Sequence, residues 1–259
     1  MYLLGIQREA PRELIDPLLD EMQGRGEATV VGLEDDGTDP TRGDVRARYD
    51  ETGWTLSTPG SVTSLLDTLA ARCDYAMVEG LSDDRWAQLQ LNGDSATGDL
   101  LDEPFPLAAV NPALVVDRLE ETEPWESLES LVTAVKDVAE NDRAGAIATF
   151  TGRVRARDSP DDTPTTHLEF DAYGEVAWET MDEIAGEITD RDGVYDVRMH
   201  HRTGVIEDGE DIVFVVVLAG HRDEAFTAVE DGINRLKAEV PIFKKEVTVD
   251  EEFWVHTRP

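Results

Sequence analysis

Apolar positions recur along the chain at two spacings, every second residue and every third to fourth, and the two predict strands and helices respectively. Tyr2–Ile6 reads as a short buried strand, and Arg12–Met22 as a helix with Leu14, Ile15, Leu18 and Leu19 on one face. Glu27–Leu33 is a second strand, followed through Gly43 by a loop rich in Asp, Gly and Pro. Ser61–Arg72 places Val62, Leu65, Leu66 and Leu69 on a helical stripe. Asp74–Glu79 is a strand ending at Gly80, and Phe105–Val110 another, closed by Asn111-Pro112. Strands alternating with helices predict a small parallel α/β layer.

The pattern changes after Asp117–Glu129, a charged segment containing a proline, and a domain boundary is expected near residue 119. Ser127–Glu140 spaces Leu128, Leu131, Val132, Val135 and Val138 as a helix. Gly145–Arg155, Thr166–Tyr173 and Tyr195–Arg202 read as strands, the last turning through Gly204–Gly209. Ile212–Leu218 is apolar at every position, which predicts a central strand covered on both faces. Two long helices are expected, Glu175–Thr189 and about Asp223–Glu239, the second with Phe226, Val229, Ile233, Leu236 and Val240 inward. Pro241 stops it, and the extended pieces Ile242–Val249 and Phe253–Val255 close the chain. This predicts an α+β domain, a mixed or antiparallel sheet with two long helices.

Charge adds a constraint on environment. Acidic residues number 57 against 23 basic ones, a net charge of −34. They are spread evenly, 24 against 9 over residues 1–120 and 33 against 14 over 121–259. Even acidity with few lysines suits a halophile's molar-salt cytosol, where self-repulsion is screened within about 3 Å. The apolar runs are too short for a membrane span, and Met1–Leu14 lacks the basic start of a signal peptide. A cytoplasmic protein is expected. Cys73 is the single cysteine, which leaves no internal disulfide and no cysteine-built metal site. It is expected to be a small buried residue.

Three of the four lysines, Lys237, Lys244 and Lys245, fall within nine residues. Either ammonium groups are needed there or they decorate a solvated surface. Two close ammoniums raise the cost of charging both, so one should titrate below a free lysine and could act as acid, base or nucleophile. Arg153 and Arg155 project from one face of an extended chain, as a phosphate fork or as edge-strand charge. His221-Arg222 stands where a strand meets a helix start, either near the free N–H groups that attract anions or simply exposed. His200 and His201 are adjacent on a strand, face opposite ways and make a poor metal pair, so a core or surface role is expected for them.

The segments TFTGRVR (Thr149–Arg155), HHRTG (His200–Gly204), DIVFVVVLAGHRDEAF (Asp211–Phe226) and LKAEVPIFKKE (Leu236–Glu246), in this order, resemble the MoaE family, the large catalytic subunit of molybdopterin synthase. The resemblance spans about residues 120–259. It implies a sulfurtransferase converting cyclic pyranopterin monophosphate to molybdopterin with sulfur from the Gly-Gly thiocarboxylate of a small ubiquitin-like subunit. Lys237 and Lys244 are implied as the catalytic pair. Arg153, Val154, Arg155, His221, Arg222, Lys245 and Glu246 are implied for binding the anionic pterin, and neither metal nor cofactor is implied. Arg153 and Lys245 exchange one basic residue for another relative to common members. Because His221 and Lys237 lie roughly 24 Å apart along one helix, they can share a pocket only across two copies. That fits the family's homodimer at the centre of a heterotetramer.

Residues 1–119 resemble the MobB-like P-loop domain through MYLLGI and CDYAMVEGL (Cys73–Leu81). After Ile6 the chain reads QREAPREL, without the glycines, lysine and Ser/Thr that cradle phosphate and magnesium. A degenerate domain for scaffolding or docking is expected, without nucleotide. A non-catalytic adaptor in cofactor assembly is the alternative for the whole chain. Nucleic-acid binding is disfavoured by the net charge and by the lack of interleaved aromatics.

Overall fold

In a computed structural model, Tyr2–Ile6 is strand β1, buried from Leu3 onward, and Arg12–Gln23 is helix α1. The structure describes all residues except 8, 33–45, 51–52, 58–61, 81–85, 139–141, 158, 173, 250–251 and 256–259. The expected loop through Gly43 lies outside the described residues. Helix α1 buries Leu14, Ile15, Leu18 and Met22. After it come β2 (Ala28–Gly32), a hairpin of β3 (Arg46–Asp50) and β4 (Gly53–Ser57), α2 (Val62–Ala70) and β5 (Tyr75–Glu79). Strands β6 (Ala87–Asn92), β7 (Ser95–Gly98) and β8 (Phe105–Pro106) precede α3 (Pro112–Glu120). The sheet order is β2-β5-β1-β6-β7-β8.

This sheet is mixed, where a parallel one was expected. Strands β2, β5, β1 and β6 run parallel, and β6, β7 and β8 antiparallel. The hairpin between β6 and β7 turns at Gly93, whose φ of 60 suits a residue without a Cβ. Phe105–Val110 is not a full strand, since Leu107–Ala109 is a 3₁₀ turn. Asn111-Pro112 opens a helix rather than closing a strand. The Asn111 side chain accepts the Ala113 N–H, and proline suits the first turn, where its missing N–H is not needed. Asp117–Glu120 therefore belongs to α3.

The chain divides into two compact units, Met1–Trp125 and Glu126–Pro259. In the second, Ser127 caps α4 (Leu128–Lys136) in a reciprocal pair with Ser130. Strands β9 (Ala146–Arg153) and β10 (Thr165–Ala172), helix α5 (Gly174–Thr189), β11 (Val194–His201), β12 (Gly204–Glu207), β13 (Asp211–Ala219), helix α6 (Arg222–Glu239), β14 (Ile242–Thr248) and β15 (Glu252–Val255) complete it. Gly204–Glu207, read as part of a turn, pairs with β10 as an edge strand.

Two antiparallel sheets result, ordered β11-β13-β9 and β12-β10-β14-β15. Strand β13 is central and buried from Ile212 to Ala219, as its apolar run predicts. Phe214, Val216 and Leu218 pack against Leu131 and Val135 of α4. Val213, Val215 and Val217 face the larger core, with Ile184 and Ile188 of α5 and Ile233 and Leu236 of α6. Phe226 breaks the expected stripe of α6: it is 63% exposed, and Ala225 and Ala228 take the inward positions.

Candidate functional site

Strand β9 runs antiparallel to β13, with Gly152 opposite Val213. A Cβ on Gly152 would meet Val213 Cγ1 at 2.6 Å, so only glycine lets the strands approach there. Just beyond, Val154 is 2% exposed and anchored in the core, leaving Arg153 and Arg155 exposed on either side. Arg153 donates to the Gly209 carbonyl and lies 3.5 Å from the Asp211 carboxylate. At the far end of α6, buried Leu236 and Val240 fix the last turn that carries Lys237. The Lys237 ammonium stands 5.8 Å from the centroid of the Phe150 ring, within cation–π range.

Strand β14 brings in the remaining groups by alternation. Ile242, Lys244 and Glu246 point to one face, where Phe170 and Leu168 of β10 are the register partners of Lys244 and Glu246. These side chains line a cavity of about 610 Å³ together with Phe150, Arg153, Arg155, Thr165, His201 and Lys237. Its floor is largely apolar, and four cations gather around it. Lys244 Nζ is 4.0 Å from Glu246 Oε2, and the other Glu246 oxygen accepts from the Thr165 hydroxyl.

Of the nine site residues named from the sequence, Arg153, Arg155, Lys237, Lys244 and Glu246 line this cavity. Val154 is core. Lys245 points to the other face of β14. It is held 2.9 Å from Glu252 and 3.4 Å from Glu169, its direct register partner on β10. The Glu252 carboxylate, helped by Glu169, holds the Lys245 ammonium above the ordinary lysine range. His221 is the exposed N-cap of α6, and Arg222 beside it pairs with Asp223 at 3.2 Å. Neither is part of the cavity lining within this chain.

Sequence reasoning missed His201. The two histidines do face opposite ways, but both are buried: His200 stacks on Phe214, and His201 meets Phe170 edge-on with centroids 4.8 Å apart. Burial pushes the His201 pKa down to about 4, and burial with the nearby Arg202 charge pushes His200 down to about 3. The His201 Nδ1 lies 2.8 Å from the Arg202 carbonyl, which can only accept. The neutral ring therefore carries its proton on Nδ1 and keeps a lone pair on Nε2. Cys73 is partly buried against the first unit's apolar cluster, and burial pushes its thiol up. Among the described residues no group of three His, Cys, Asp or Glu could hold a metal, and no helix is long and apolar enough to cross a membrane.

The fold and cavity define an α+β protein with an apolar pocket rimmed by cations, suited to an anionic ligand. Residues 123–239 match the family described as MoaE protein. A probable molybdopterin synthase of Haloferax volcanii is 48% identical over 263 residues, covering all of both chains. The molybdopterin synthase catalytic subunit of Pyrococcus abyssi is 40% identical over 111 residues, 43% of this chain and 74% of that one. A solved molybdopterin synthase from Staphylococcus aureus is 33% identical, covering 45% of this chain and 84% of its own, at a TM-score of 0.43. The chain belongs to the MoaE family.

The buried histidines give the protein a pH dependence. Their folded pKa values lie below the unfolded value of about 6.5, so the unfolded chain takes up protons first as pH falls. Their contribution to stability is whole above pH 6.5 and drains away between 6.5 and about 4 for His201. At pH 5 the loss is on the order of 2 kcal/mol per histidine. Urea unfolding in constant salt should show His201→Gln losing less stability than wild type between pH 7 and pH 5; parallel losses would refute this.

Proposed function

We propose that the chain is the catalytic subunit of a molybdopterin synthase, a sulfurtransferase that turns cyclic pyranopterin monophosphate into molybdopterin. The observation that carries this reading is the cavity itself, which gathers Arg153, Arg155, Lys237 and Lys244 in a chain of net charge −34. Three places supply them: the end of β9 with the two residues just past it, the last turn of α6 and the start of β14.

Lys237 and Lys244 are the reacting pair. An ammonium draws in an anionic thiocarboxylate, and a neutral amine accepts a proton; arginine cannot alternate between those states. Arg153 and Arg155 bind the substrate phosphate, where guanidinium geometry favours bidentate contacts. The sulfur comes from a partner, a small ubiquitin-like subunit whose Gly-Gly thiocarboxylate tail enters the apolar part of the cavity. The chain's own cysteine, Cys73, belongs to the other unit.

His221 and Arg222 act in the site of a second copy. They sit at the opposite end of α6 from Lys237, roughly 24 Å away at 1.5 Å per residue. A homodimer with two composite sites, flanked by two small subunits, meets this constraint. The first unit is a degenerate MobB-like domain that scaffolds or docks. Supporting this, the sequence between β1 and α1, Gln7 to Pro11, holds neither glycine nor lysine, and α1 begins with no side-chain cap and an acidic Glu13. Even surface acidity fits a cytosol of molar salt.

The deciding experiment is reconstitution with the thiocarboxylated small subunit and cyclic pyranopterin monophosphate. Wild type should form the dithiolene, and Lys237→Ala or Lys244→Ala should lower the rate by about a hundredfold or more. No product from wild type would favour a non-catalytic adaptor, and full activity from either variant would remove the lysine pair from the chemistry. Mixing Lys237→Ala with Arg222→Ala subunits should restore about a quarter of wild-type activity, because random dimers then hold one intact site in every four. No recovery on exchange would argue against composite sites. Calorimetric titration of the full chain with Mg-ATP should show no saturable heat, and millimolar or tighter binding would overturn the degenerate reading of the first unit.

A further inference from the structure

Thr165 begins β10, where plain alternation puts it on the outer face with His167 and Glu169. It is instead 6% exposed and lines the cavity. The cause is an irregularity in the ladder. Thr165 pairs with Thr248 and His167 with Val247, so the register shifts between them. A bulge of this kind bends the strand and re-aims one side chain. The re-aimed hydroxyl reaches across to β14 and donates to Oε1 of Glu246. The other carboxylate oxygen, Oε2, faces Lys244 Nζ at 4.0 Å.

Three inward side chains thus form a line, Thr165, Glu246 and Lys244, with the two β14 members two residues apart on one face. Without its anchor, Glu246 would be a loose carboxylate in a cavity that must receive an anion. It could then pair with other cations or repel the substrate. A buried hydroxyl that occupies one oxygen removes that freedom and leaves the second oxygen for the lysine. Such fixed charges act more strongly in a partly desolvated site than mobile ones.

We infer that Thr165 is a positioning residue of the active site, holding Glu246 so that its carboxylate orients the Lys244 ammonium, and that Glu246 serves the lysine rather than the substrate. This rests on the reading of Lys244 as a reacting group.

The test uses the full chain in the reconstituted reaction, with Thr165→Val, Thr165→Ser, Glu246→Gln and the double variant Thr165→Val/Glu246→Gln. Thr165→Val, which keeps the shape and removes the hydroxyl, should lower kcat by about tenfold and leave KM for the pterin within about twofold. Thr165→Ser should restore most of the rate. In the Glu246→Gln background, Thr165→Val should add little, because both changes break one line of contacts. Thermal unfolding of each variant separates a folding defect from a positioning one, and Glu246→Gln tests the carboxylate even if Thr165→Val folds poorly. A wild-type rate for Thr165→Val, a Thr165→Ser no better than Thr165→Val, a rise in KM at constant kcat, or fully additive losses would each overturn the inference. Full activity of Lys244→Ala would instead overturn the lysine reading beneath it, so the two failures are distinguishable.

Discussion

Strand β13 must be covered on both faces, and the second unit is arranged to do it. Every side chain from Ile212 to Leu218 is apolar and buried, each contributing about 1.5–3 kcal/mol relative to exposure. Among the described residues, no surface ion pair approaches that sum. One face of the strand is met by α4, the other by α5 and α6. Because the strand is central, β9 and β11 are fixed on its two sides by antiparallel ladders. The site is a by-product of this burial. Strand β9 ends at Arg153, and Val154 is drawn into the core. Helix α6 is held along its length by Ala225, Ala228, Ile233 and Leu236, so its last turn presents Lys237 where β9 ends.

Electrostatics then selects which cations stay available to a ligand. The chain holds few lysines, and the sheet sorts them by parity. Lys244 points into the cavity, whereas Lys245, one residue on, is neutralised between Glu252 and Glu169 on the other face. Arg153 is steadied by the Gly209 carbonyl and Asp211 without leaving the cavity wall. In the molar-salt cytosol proposed above, attraction beyond about 3 Å is screened, which leaves recognition of the proposed anionic substrate to direct contact. A cluster of long, pre-oriented side chains suits that regime better than a diffuse positive field.

Much of this was legible in the sequence because it follows from strong periodic signals. The apolar run of β13, the stripe of α4 and the span of α5 each depend on many residues agreeing. What failed depended on single residues whose neighbours decide the outcome. Phe226 has the spacing of a buried residue, but Ala225 and Ala228 occupy the inward positions of α6, leaving Phe226 63% exposed. Lys245, which the family resemblance assigns to the pocket, lies on the other face of β14 within this chain, because strand alternation separates it from Lys244. Asn111-Pro112 signals a helix start as well as a strand end, and the caps of α3 decide for the former.

Thr165 and His201 escaped sequence reasoning for a deeper reason. Parity assigns a strand residue to a face only while the ladder is regular. A single bulge resets the count, so Thr165 arrives at the cavity from a position that spacing assigns to the outside. His201 obeys parity, but spacing carries no information about burial or proton position. The Arg202 carbonyl, itself part of the turn from β11 into β12, sets its tautomer. In both cases a local rule yields to a backbone feature at the cavity wall, and such departures are expected to gather where function constrains the fold. A strand that ran straight through Thr165 would leave Glu246 with one fewer donor and a freer carboxylate beside Lys244. The irregular ladder is therefore better understood as part of the site than as a defect in the sheet.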